Sequence, residues 1–221
     1  MAESTLLKSS IAKKVAMALS GLFLISFLSL HFFVNFTSVI DEDTFNEFSH
    51  FMGNNGLVQY ALQPVLIIGV VFHFVMGFVL ELKNRSARPI SYAKYNGAAN
   101  SSWASRNMII SGLVVLAFLG VHFYDFWIPE MVYKYVDVNP LDETRYFGEM
   151  VHKFESPVRT GLYCVSFLLL AMHLWHGFSS SFQSVGFNNK FTPAIHKLGY
   201  AFAIIVPFGF IFIALFHHFN H

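Results

Sequence analysis

Apolar residues in this chain run in long blocks. No Asp, Glu, Lys or Arg occurs in residues 15–40, 48–80, 107–124, 160–189 or 198–221. A helix needs about 20 consecutive apolar residues to cross the hydrocarbon layer. The blocks therefore predict five transmembrane helices, near 15–36, 57–80, 109–129, 161–182 and 198–216. The third is the least regular, with Asp125 near its end. A β-barrel would show short segments alternating between apolar and polar residues. These blocks are apolar all round, so the expected fold is all-α: an integral membrane bundle, a single domain over residues 1–221, with the first four helices forming its core.

Composition agrees with that pattern. Of 221 residues, 55% are hydrophobic and 12% charged, against roughly 25% charged in soluble domains. The first block is long and no small-residue cleavage site follows it, unlike a secretory signal. The single cysteine, Cys164, excludes an internal disulfide and a thiolate cluster within the chain.

Charge sets the expected orientation. Ten of the 14 Lys and Arg fall in the N-terminal tail, the second loop and the fourth loop. The other four, Lys134, Arg145, Lys153 and Arg159, lie in the third loop. The positive-inside rule then places the N-terminus in the cytoplasm and the C-terminus outside. Asp41, Glu42, Asp43 and Glu47 face outward in that arrangement.

The chain repeats itself. Residues 20–32 read SGLFLISFLSLHF and residues 111–123 read SGLVVLAFLGVHF, identical at seven of thirteen positions. Spans two and four share H-x-x-x-G-F, as His73, Gly77, Phe78 and as His173, Gly177, Phe178. Two copies of a helix pair, with a fifth helix added, account for the pattern, as parallel repeats do in other membrane proteins.

Four repeat-related histidines lie inside spans: His31, His73, His122 and His173. Ionisable groups there are costly and usually functional. Each lies beyond the middle of its helix, and successive helices run in opposite directions. His31 and His122 thus fall in the outer half, His73 and His173 in the inner half. At 1.5 Å of rise per residue the two levels are about 10–15 Å apart. Two imidazoles at each of two levels suit two stacked hemes, since imidazole is a good neutral axial ligand. Gly21, Gly77, Gly112 and Gly177 would let a flat macrocycle approach the backbone, or would serve as ordinary helix contacts. A single membrane histidine is as well explained by a hydrogen bond to a neighbouring helix. Four at two matched depths favour ligation. His176, one turn after His173, is the alternative fourth ligand. The remaining histidines, including the C-terminal HHFNH, are expected at loops and ends, with weak metal-binding potential in that tail.

These residues resemble the diheme cytochrome b membrane anchor of succinate:quinone oxidoreductases, including fumarate reductases of the single five-helix type. The resemblance covers nearly the whole chain. It rests on SGLFLISFLSLH, FHFVMG, SGLVVLAFLGVH and MHLWHGFSSSFQSVGF. It implies two heme b groups. His31 and His122 would hold the outer, distal heme, and His73 and His173 the inner, proximal heme. It also implies docking of a flavoprotein subunit and an iron–sulfur subunit on the cytoplasmic face, and a quinone substrate, menaquinone by the same resemblance. The location it implies is the bacterial cytoplasmic (inner) membrane. A Glu that some fumarate reductases of the group carry two residues before the fourth ligand is Ala171 here, so that proton route is not carried over. Glu42, Glu47 and His50 are the candidates for the quinone site. Arg159 is the candidate partner for an outer propionate, beneath a loop that also holds Tyr133, Tyr135 and Tyr146. Lys13, Lys14, Arg85 and Arg88 are candidates for inner propionates or anionic lipid. No dicarboxylate chemistry is expected on this chain, and no nucleic-acid partner.

Other classes remain open on the residues alone. A cytochrome b of another quinone-linked dehydrogenase would share the hemes and differ in its docked partner. A heme-free transporter or proton channel would use the histidines as a relay and lack heme absorbance. A purely structural anchor would have no cofactor.

Overall fold

The structure, a computed structural model, describes residues 9–86 and 103–221. Helix α1 spans Ser10–Thr37, α2 Glu42–Asn54, α3 Val58–Ser86, α4 Met108–Val136, α5 Arg145–Phe154, α6 Pro157–Ser184 and α7 Thr192–Asn220. A single turn, Trp103–Arg106, precedes α4. No strand occurs among the described residues. Helices α1, α3, α4, α6 and α7 are each long and apolar enough to cross a membrane. The chain is a multi-pass membrane protein, as the charge-free blocks predict.

Every one of the five runs past its predicted bounds. The longest extension at one end is in α4, expected to stop at Pro129 and running on to Val136. A proline cannot donate to the carbonyl four residues back. Here the chain widens instead, with a π-type turn over Phe123–Trp127 in which the Ile128 amide reaches Phe123 O. Such wide turns absorb an irregularity without ending the helix. Helix α3 handles Pro64 in the same way, with a π-type turn over Val58–Leu62.

Two segments expected as loops are helices. Asp41 starts α2, its carboxylate accepting from the Thr44 amide at 2.8 Å and from the Thr44 hydroxyl at 2.7 Å. Those bonds hold the Asp41 carboxyl below its ordinary pKa. Helix α5 packs against α2, and Asn46 Oδ1 of α2 accepts from the Phe147 amide of α5 at 2.9 Å. Both helices carry buried apolar residues on one side, Phe45 on α2 and Met150 and Phe154 on α5.

Helix α6 is the hub, touching α1, α4, α5 and α7. The dry core lies where α7 packs along α6 and α1, through Tyr163, Phe167, Ala203, Val206, Phe210, Ile213 and Ala214. Helix α3 has no buried residue and exposes Val65, Ile68, Val71, Phe72 and Val75. An apolar surface on that scale belongs in lipid. The C-terminal histidines depart from the expected solvated tail. His217 is fully buried, its Nε2 2.9 Å from Ser38 Oγ, and His218 Nδ1 donates to Phe154 O at 2.8 Å. They tie the end of α7 to α1 and α5.

Close approach of α7 and α1 depends on Gly209, where a Cβ would run into the Phe32 ring. Gly209→Ala is expected to lower stability by about 1–3 kcal/mol, the usual cost of overpacking. Gly120→Ala is the control, because nothing lies within 4 Å of a Cβ there. Thermal unfolding in detergent distinguishes the two.

Candidate functional site

Between α1, α3, α4 and α6 lies an elongated apolar cavity of about 700 Å³, in the size range of cofactor sites, about 300–1,000 Å³. His31, His73, His122 and His173 all line it, together with Gly21, Gly77, Gly112 and Gly177. The four histidines meet as two pairs. His73 of α3 and His173 of α6 form the first tier, ring centroids 6.4 Å apart and planes at 70°. His31 of α1 and His122 of α4 form the second tier, centroids 5.7 Å apart and planes at 85°. Gly21 sits beside His73 and Gly112 beside His173. Ten residues of helix then lead from each glycine to the second tier, a rise of about 15 Å.

The repeat is visible as an approximate symmetry of the first tier. A Cβ on Gly21 would lie 3.4 Å from His73 Cε1, and one on Gly112 would lie 3.5 Å from His173 Cε1. Gly77 faces Met17, and Gly177 faces Met108. Ser20 Oγ is 2.9 Å from His73 Nδ1, and Ser111 Oγ is 3.2 Å from His173 Nδ1. Sequence reasoning overlooked both serines as partners of the histidines. The signal was present: M-x-x-S-G recurs at residues 17–21 and 108–112. His176 lines the same cavity, but the ring that faces His73 is that of His173.

The second tier is less symmetric. Phe27 stacks on His31 at 5.3 Å, and Phe210 of α7 lies 5.8 Å away. His122 is flanked by Phe118, Phe126 and Tyr163. The His122 Nδ1 is buried without a hydrogen-bond partner. Asn35 Nδ2 donates to His31 O at 2.8 Å.

The residues fit a tetrapyrrole. An axial imidazole pair on one iron places its ring centres about 6 Å apart, from two metal–nitrogen bonds of about 2 Å and about 1 Å inside each ring. No cluster of three or more His, Cys, Asp or Glu able to hold a bare metal ion is found among the described residues. A porphyrin supplies four nitrogens itself, so two histidines complete its iron.

Of the other sequence candidates among the described residues, only Lys14 lines the cavity. Glu42 and Glu47 are exposed on α2. His50 is half-buried beside Asn54, Tyr146 and Glu143. Arg159 pairs with Asp125 Oδ2 at 3.2 Å, and Tyr163 donates to the same oxygen at 3.0 Å. Asp125, an irregularity in the sequence pattern, is thus buried with two partners. Lys14 and Glu81 both line the cavity, and Arg85 pairs with Glu81 at 2.6 Å. Arg88 lies outside the described residues.

A charged cluster that sequence reasoning missed ties α2, α4 and α5 together at the second-tier end. Glu130 bridges Lys134 and Arg145, Arg145 also holds Glu149 at 2.7 Å, and Lys134 donates to Gly53 O at 2.5 Å. The Arg145 guanidinium lies over Tyr133 at 4.0 Å and Tyr146 at 4.3 Å. Burial works against the Arg145 charge, but Glu130 and Glu149 outweigh it and hold its pKa above the ordinary guanidinium value. Arg145 therefore stays charged at any working pH. Its side chain is 10% exposed and that of Glu130 17%, so Arg145→Ala leaves a nearly buried carboxylate short of a partner. The expected loss is about 3 kcal/mol, read as a lower unfolding temperature in detergent, with Arg145→Lys intermediate.

Comparison with protein-family models, curated proteins and solved structures gives no match to this chain.

Proposed function

We propose that the chain is the membrane anchor and electron-transfer subunit of a succinate:quinone oxidoreductase, connecting an iron–sulfur subunit with a membrane quinone through two bis-histidine b hemes. The observation that carries the heme reading is the arrangement of four histidines as two facing pairs in one apolar cavity. The choice of partner complex rests on the sequence resemblance. In that reading the first tier lies toward the cytoplasm and the second toward the outside of a bacterial inner membrane. The flavoprotein and iron–sulfur subunits dock on the basic cytoplasmic face, and the quinone, a menaquinone by resemblance, binds near the second tier.

Each part of the chain has a task in this reading. His73 and His173 would hold the inner iron, His31 and His122 the outer one. A bound heme supplies one-electron chemistry between ferric and ferrous iron. With two imidazoles of the chain on each iron, no position would be left for oxygen. The glycines give the rings room, and Phe27, Phe118, Phe126 and Phe210 exclude water from the outer pair. Asp125, held by Arg159 and Tyr163, follows His122 three residues on in α4.

Purified protein is expected to show a reduced-minus-oxidised cytochrome b spectrum and two hemes b per chain by pyridine hemochrome. A colourless native preparation rejects the reading. His122→Ala is expected to remove one heme and leave the inner one, and loss of the inner heme alone would contradict the pairing. Copurification of a flavoprotein and an iron–sulfur protein tests the partner complex.

A further inference from the structure

Two serines carry a geometry that ligation alone leaves unexplained. Ser20 Oγ lies 2.8 Å from Met17 O and 2.9 Å from His73 Nδ1. Ser111 Oγ lies 2.9 Å from Met108 O and 3.2 Å from His173 Nδ1. A hydroxyl has one proton and a carbonyl none. Two oxygens this close repel unless a hydrogen lies between them, so each serine proton points to its own helix carbonyl. The contact with the ring is then made by the imidazole's proton, with Nδ1–H donating and Oγ accepting. Nε2 is left with a bare lone pair, and it has no hydrogen-bond partner among the described residues. Both rings line the cavity.

We propose that Ser20 and Ser111 are positioning residues that lock His73 and His173 in the Nδ1–H tautomer and so present Nε2 to the cavity as an electron-pair donor. The metal it serves rests on the heme reading; the tautomer does not. The same hydroxyl gives the opposite result outside the cavity. Ser38 Oγ lies 2.6 Å from Asn35 O and 2.9 Å from His217 Nε2. There the proton is on Nε2, and the bare nitrogen, Nδ1, is buried without a partner. A serine that merely glues helices accepts from whichever nitrogen reaches it. The two repeat-related serines both take Nδ1, and both rings face the one cavity. An acceptor on Nδ1–H also raises the basicity of the ring, which favours ferric over ferrous iron.

The test uses the full-length protein in membranes or detergent. Ser20→Ala and Ser111→Ala are each expected to raise the midpoint potential of the first-tier heme and leave the second-tier heme unmoved. Ser20→Thr and Ser111→Thr, which keep the hydroxyl, are expected to restore it. Loss of the first-tier heme from an Ala variant, with the Thr variant fully loaded, supports the same role. Fully loaded Ala variants with both potentials unchanged overturn the proposal and leave the heme reading standing. Should an Ala variant fail to accumulate, Ser20→Cys and Ser111→Cys, weaker acceptors of similar size, are judged by the same shift. If wild-type protein binds no heme, the functional reading fails, and 15N NMR of labelled histidine still decides the tautomer. A proton on Nδ1 of His73 and His173, becoming mixed in the Ala variants, supports the lock. A proton on Nε2 in the wild type overturns it.

Discussion

An imidazole inside a bilayer has two nitrogens to satisfy and no water to satisfy them. Four such rings in one apolar cavity set the terms for the helices around them. In the proposed reading, ligation to iron would satisfy one nitrogen of each ring, and the helix across the bundle could then satisfy the other. At the first tier this division is complete on the protein's side: Ser20 and Ser111 each hold one Nδ1. The helices must come close enough for a short side chain to reach. Gly21 and Gly112, next to those serines, permit that approach.

The fifth helix and the two short helices close the bundle without entering the cavity wall, apart from a few side chains. Phe210 and Ile213 of α7 and Met150 and Phe154 of α5 reach the cavity at its second-tier end. Their remaining neighbours are the dry core between α6, α7 and α1. Helix α3, in contrast, is held mainly by α1 and otherwise faces lipid. The bundle is thus firm on the α6–α7 side and thin on the α3 side. A cofactor bound by His73 would add the strongest link between α3 and α6.

The five spans and the four histidines were legible because their signals are long-range in sequence: charge-free blocks, and a repeat separated by about ninety residues. Depth followed from rise per residue, and pairing from depth. Local signals were less legible. Pro129 reads as a helix stop, yet a wide turn carries α4 on to Val136. Asp41 before Thr44 marks the start of α2, but a short amphipathic helix at a membrane surface looks like a polar loop. Glu130–Lys134 and Arg145–Glu149 are i,i+4 pairs that spacing shows, but the links between helices, Glu130 to Arg145 and Lys134 to Gly53 O, no spacing along one helix reveals. His217 looked terminal and is buried, because Ser38 at the end of α1 reaches it from 179 residues away.

The duplication accounts for the first tier better than for the second. His31 and His122 hold equivalent places in the repeat, but their surroundings have diverged. The residue one turn after His31 is Asn35, and the equivalent residue after His122 is Phe126. An amide beside one ring and a phenyl beside the other leave the His122 Nδ1 without a partner. The helix that the repeat does not contain adds to the difference. Helix α7 packs on α1 and α6, so one copy of the helix pair receives Phe210 near its histidine. In the other copy Tyr163 of α6, that copy's own second helix, stands near His122, its hydroxyl committed to Asp125. Helix α7 packs along α6 at the first-tier end as well, through Trp175–Tyr200 and Gly199–Phe178, but only beside the second tier do its side chains, Phe210 and Ile213, line the cavity, and there the twofold pattern of histidines loses its symmetry.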